Sequence, residues 1–204
     1  RKILNKMSVL LPNMNAFDHI FILTFDSFKD SVGGDYSYKN NIVVLANIIE
    51  LIYKFSVRFY TVCERRGNVV MTALDNIHES LKNSINDIDE YYEILKECLT
   101  KIQPPKKEFI DKFKEFYEKD NKKSKVMLWD LQDKIATEDG YQQSDFDCEH
   151  IFPKEGHDKW VTDYAEKGYP DATIIKLKEK RYHIGNLTLL KDSDNRELGD
   201  AIID

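Results

Sequence analysis

Apolar side chains recur at helical spacing through most of this chain, and that periodicity restricts its fold more than any other feature. Phe17, Ile20, Phe21, Thr24 and Phe28 form one stripe, and Ile42, Leu45, Ile49, Ile52, Phe55 and Phe59 form a second. Val70, Leu74, Ile77 and Leu81 follow, then Ile88, Tyr91, Leu95, Leu99 and Ile102. Residues three and four apart share a helix face, so each stripe predicts a helix that buries that side. Pro104-Pro105 ends the fourth helix, because proline has no donor N–H and disfavours a helical residue before it. Phe109, Phe113 and Phe116, then Met127, Leu131 and Ile135, extend the pattern. Only eight Gly and five Pro in 204 residues fit long regular elements.

The texture changes after Gly140 and the polar run to Asp145. A short strand is expected near 146–152, then a connector holding Trp160 and a short helix near 171–180. A strand through 187–190 and a helix from about Asp192 complete the chain. The expected organisation is mainly α: an N-terminal helical bundle over 1–140, then a small α+β domain over 141–204.

Hydrophobic content of 42% with 12% aromatics argues against disorder. The longest apolar stretch, Ile42 to Tyr53, is broken by Asn47 and Glu50 and is too short and polar to cross a bilayer. Cys63, Cys98 and Cys148 are odd in number and widely spaced, which suggests neither a disulfide framework nor a CxxC zinc site. A reducing, cytoplasmic setting fits this usage, and no membrane partner is expected. The chain opens on Arg1-Lys2 without a Met and stops at Asp204, which reads as a fragment of a longer protein.

Within the second domain, Glu149-His150-Ile151-Phe152-Pro153 is followed downstream by Gly185-Asn186-Leu187-Thr188-Leu189-Leu190 and then Asn195. These are the residue types that a one-metal phosphodiesterase needs. A neutral imidazole titrates near neutrality, so His150 can take a proton from water. A hard cation such as Mg²⁺ prefers oxygen ligands and keeps several waters. Glu149 offers a carboxylate oxygen and Asn195 a carbonyl oxygen. Neighbouring side chains on a strand point to opposite faces, so convergence of Glu149 and His150 requires a bend, from a β-bulge or from the approach to Pro153.

The net charge of −6 is awkward for a nucleic-acid enzyme, but its distribution is uneven. Nine Lys stand against five acids from Lys101 to Lys125, where a solvated helix face is the better reading. Lys176, Lys178, Lys180 and Arg181 precede the Gly-Asn-Leu run, where phosphate contact and a solvated face weigh equally. Arg196 can clamp a phosphate or pair with Glu197 or Asp200. Among the other histidines, His19, His78 and His157 read as surface or packing residues, and lining of the cleft by His183 is the lesser of its two readings.

These motifs resemble the HNH, or His-Me finger (ββα-metal), nucleases. Within them the chain is most similar to the C-terminal nuclease domain of GmrSD-type, modification-dependent (type IV) restriction enzymes. The matching residues are Glu149 to Pro153, Trp160, Ile184 to Leu190 and Asn195. Asp147 to Pro153 with Ser193-Asp194-Asn195-Arg196 is also similar to the HNH domain of CRISPR effector nucleases, and Phe55 to Arg58 with Asn68 resembles the helical region preceding the nuclease.

The resemblance implies His150 as general base, Glu149 and Asn195 as holders of Mg²⁺ (with Mn²⁺ as a substitute), and Asn186 as the brace of the loop. It implies a DNA substrate, modified or not, a role in restriction or phage defence, and products with 5′-phosphate ends. It also implies a nucleotide-hydrolysing partner, in the same longer chain or in another subunit. Two departures stand out. Family members usually continue into a helix with a further Lys after the Asn. Gly33-Gly34 lacks the Lys-Ser/Thr of a phosphate loop, so no nucleotide-hydrolysing half is visible. Two other readings compete: a catalytically silent helical binding module for such a partner, and an RNase or toxin of the same fold.

Overall fold

The computed structural model describes residues 17, 35–84, 87–117, 120–132, 145–152 and 157–198. Side chains at 35–41, 121, 157, 158, 192, 195 and 198 lie outside that description. The expected helix over Phe17 to Phe28 therefore falls outside it apart from Phe17.

Helix α1 spans Asp35–Ser56 and passes directly into a π-helical segment, Val57–Val62, that closes with Cys63 N–H donating to the Arg58 carbonyl at 3.1 Å. The buried side of this long element is Val44, Ile48, Ile52, Tyr53, Phe55, Phe59 and Val62. Ile52, Phe55 and Phe59 are buried as expected, but the N-terminal part of the face is rotated: Ile42 is 43% exposed and Leu45 and Ile49 are only half-buried. The segment is apolar nearly all round, so several helical stripes fit its sequence equally well and packing chooses among them. Phe17 sets its ring edge against Phe55, which stacks on Phe59 at 4.9 Å.

Helix α2 (Asn68–Asn83) buries Val70, Leu74 and Leu81. Helix α3 (Ile88–Ile102) buries Tyr91, Leu95, Cys98 and Leu99 and packs against both α1 and α2. The Asp87 side chain caps α3 by accepting from Glu90 N–H at 3.0 Å. Gln103 is extended before Pro104-Pro105, so the prolines stop the helix. Helix α4 (Lys106–Lys114) contributes Glu108, which takes both oxygens to Arg65 at 2.8 and 2.9 Å.

The chain divides into two compact units, Arg1–Lys112 and Phe113–Asp204. In the second, helix α5 (Asn121–Gln132) packs on an antiparallel pair of strands, β1 (Phe146–His150) and β2 (Leu187–Lys191). The sequence reading divides the chain at 140 and gives α5 to the helical bundle. A helix against a sheet shows the same periodicity as a helix against a helix, so the pattern carries no trace of this partner. Residues 133–144, where that boundary was expected, lie outside the described residues.

The ladder is regular from Phe146 opposite Lys191 to His150 opposite Leu187. The bulge considered for β1 is therefore not present in it, and Pro153 lies outside the described residues. Between the strands run α6 (His157–Glu166) and α7 (Asp171–Glu179), which pack together, and β2 leads into α8 (Asp192–Leu198), which packs on both strands. Strand, strand and following helix form a ββα unit. Replacing Asp87 by Ala should lower stability by about 1 kcal/mol, the usual cost of a lost N-cap, read from the urea unfolding midpoint.

Candidate active site

The centre of the candidate site is a carboxamide. Asn186 ends a 3₁₀ turn (Ile184–Asn186) that leads into β2, and its side chain reaches back across the sheet. Its Oδ1 accepts from Phe152 N–H at 2.8 Å, and its Nδ2 donates to the Phe152 carbonyl at 2.9 Å and the Arg181 carbonyl at 2.8 Å. Its backbone carbonyl also accepts from Ile151 N–H at 2.8 Å. The segment leaving His150 is thus held to the start of β2 and to the turn after α7. Only an amide side chain can accept and donate in this way.

Phe152 supports the same place from the apolar side. It is 2% exposed and sets its ring edge against Trp160 of α6 at 5.9 Å. Trp160 stacks on Tyr164, which meets Tyr169 at 5.0 Å. Gly168, at φ +83°, makes that last contact possible. Its left-handed backbone ends α6 in a Schellman turn, with Gly168 N–H on the Ala165 carbonyl and Tyr169 N–H on the Tyr164 carbonyl.

Glu149 and His150 are the last two residues of β1 and are both half-buried. By alternation His150 shares a face with buried Phe146 and Cys148, while Glu149 shares the opposite face with exposed Asp147. The His150 ring stands edge-on to Tyr182, with centroids 5.7 Å apart and planes at 85°. Asn195 lies in α8, the helix packed on both strands; its side chain is outside the described residues.

The model describing the C-terminal domain of GmrSD restriction endonucleases matches residues 103–202, a little under half of the chain. This stretch is similar to that family. Comparison with curated proteins and with solved structures gave no match. Every candidate site residue falls inside the matched stretch, and the matching family is one of restriction endonucleases.

The basic residues of this domain are dispersed. Lys176 is exposed and Lys178 half-buried on α7, Arg181 is half-buried in the following turn, and Arg196 is exposed on α8. Lys180 is engaged: its ammonium contacts both carboxylate oxygens of Glu115 at 3.0 Å and holds that carboxyl below the usual range. His183 is largely buried, with Nδ1 3.8 Å from Glu115 and its ring edge on Tyr117. His78 is exposed on α2, and His19 and the His157 side chain lie outside the described residues. Tyr117, Tyr182 and Glu115 belong to no motif and carry no sequence signal of their proximity to the site.

Oxygen donors are what Glu149 and Asn195 offer, and that donor chemistry fits a hard divalent cation, which takes one or two protein oxygens and keeps its waters. Among the described residues no three His, Cys, Asp or Glu side chains gather as a metal-holding group. Also among the described residues, no helix is long and apolar enough to cross a membrane.

Cys148 lies between Asp147 and Glu149 on β1. Burial pushes its thiol up to about 11, with the Glu149 carboxylate adding to the effect and Lys125 opposing it. A thiol whose folded value is raised stabilises the fold fully below its unfolded value and loses that contribution as pH climbs. Wild type should therefore lose more stability than Cys148→Ala between roughly pH 9 and 11, as read by urea unfolding. Asn186→Ala should cost about 2–4 kcal/mol by the same method, from three lost hydrogen bonds at roughly 0.5–1.5 kcal/mol each.

Proposed function

We propose that this domain is a metal-dependent endonuclease of the HNH type that hydrolyses DNA phosphodiester bonds in restriction or phage defence. The observation that carries this reading is the Asn186 clamp. It fastens the segment directly after Glu149-His150 to the start of the strand that leads into the helix bearing Asn195. One carboxylate, one imidazole and one further amide thereby belong to a single small ββα unit.

In this reading His150 takes a proton from the attacking water. The water oxygen forms a bond to phosphorus, the bond to the 3′ oxygen breaks, that oxygen takes a proton from solvent, and the products are a 5′-phosphate and a 3′-hydroxyl. Glu149 and Asn195 would hold Mg²⁺ or Mn²⁺, which when bound supplies positive charge to the phosphate and the departing oxygen. Asn186 keeps the strand end in place, so the imidazole meets the phosphate without first ordering its own backbone. Lys176, Lys178, Arg181 and Arg196 would contact the flanking phosphates, making binding dependent on salt. A nucleotide-hydrolysing partner, in the same longer chain or another subunit, completes the reading.

Plasmid cleavage in Mg²⁺ or Mn²⁺ is the test. His150→Ala should reduce the rate by about 10²–10⁴-fold, the usual worth of a positioned general base. Equal cleavage by wild type and His150→Ala would remove the imidazole from the reaction. Cleavage of RNA in place of DNA would reassign the substrate.

A further inference from the structure

We infer that Tyr182 is a positioning residue that sets the orientation of the His150 ring; the inference rests on the nuclease reading above. His150 is the last residue of β1, and the final torsion of a histidine side chain is broad and weakly restricted by its own backbone. A strand end therefore places the imidazole without aiming it. The nearly perpendicular contact with Tyr182 contributes to that aim, because edge-to-face packing of aromatic rings is directional.

Tyr182 is itself held. The Arg181 guanidinium lies over its ring, with the central carbon 5.1 Å from the centroid, and Tyr117 meets it edge-on at 5.5 Å. Tyr117 is anchored in turn by a bridge to His183, and the adjacent Ile184 N–H donates to the Phe116 carbonyl at 3.1 Å. The carbonyl of Arg181, one residue before the tyrosine, accepts from Asn186 Nδ2. One carboxamide thus fixes both the backbone that leaves His150 and the turn that delivers the ring against it. An imidazole placed this way is held at its backbone and at its ring by the same structural block. A displacement of about 1 Å in a reacting group can lower a rate by 10²-fold, which makes a ring contact of this kind matter for turnover.

The contact needs the aromatic ring and not the phenol hydroxyl, so the conservative variant separates positioning from hydroxyl chemistry. Tyr182→Phe should keep kcat within twofold of wild type. Tyr182→Leu should lower kcat tenfold or more, with a smaller change in KM for DNA from the ring lost beneath Arg181. In the wild-type chain, NMR should show cross-relaxation between the ring protons of His150 and Tyr182, a readout that needs neither turnover nor a folded variant. Wild-type kcat in Tyr182→Leu, with His150→Ala inert, would overturn the positioning role and leave the nuclease reading intact. Absence of the ring-to-ring signal in wild type would overturn it as well. Equal activity of wild type and His150→Ala would instead sink the nuclease reading, whatever the ring signal shows.

Discussion

A single carboxamide holds the ββα unit in register with its surroundings. Backbone amides that leave a strand need partners, and an unpaired one in a half-buried position is costly. The Asn186 side chain meets the needs of a segment 34 residues away, while its own carbonyl extends the β ladder by one more bond to Ile151. Two strands alone make a marginal sheet. Here the pair is secured at one end by this clamp and packed by α5 and α8, so the strand end that carries Glu149 and His150 is defined.

The apolar support runs through α6. Its C-terminal turn depends on Gly168, where a side chain would find open space yet face a strained left-handed backbone. The turn brings Tyr169 onto Tyr164, Tyr164 lies on Trp160, and Trp160 backs Phe152. Polar clamp and aromatic column therefore meet at one residue, Phe152, two positions after His150. Lys180 and Glu115 pair at the surface, where water screens the attraction, so this pair orders the 180–183 turn more than it stabilises it.

Much of this could be read from residues. The scarcity of Gly and Pro, the stripes in α2 and α3 and the prolines after Ile102 specify helices because local spacing alone decides them. Strands β1 and β2 and the start of α8 were legible because their apolar runs are short and bounded by polar turns. The buried face of α1 before Ile52 was not, since a segment apolar on most sides leaves rotation to its neighbours. The partner of α5 was hidden because Val126 and Met127 serve a sheet as well as a helix. The order of two short strands and a following helix was legible through motif order, whereas the contacts of Tyr182 and Tyr117 were not. Edge-to-face contacts arise from three-dimensional approach, and tyrosine at those positions has no spacing that announces it.

One consequence follows from where the indoles sit. The chain has two tryptophans, Trp129 and Trp160, and both belong to the unit that begins at Phe113. Trp129 lies against Phe146 at the start of β1, and Trp160 lies against Phe152 just past its end. Intrinsic emission therefore watches the two ends of the strand that bears Glu149 and His150, while the unit Arg1–Lys112 holds no tryptophan and is silent at those wavelengths. The protein carries its own optical probe of the unit that begins at Phe113, independent of whatever the rest of the chain does.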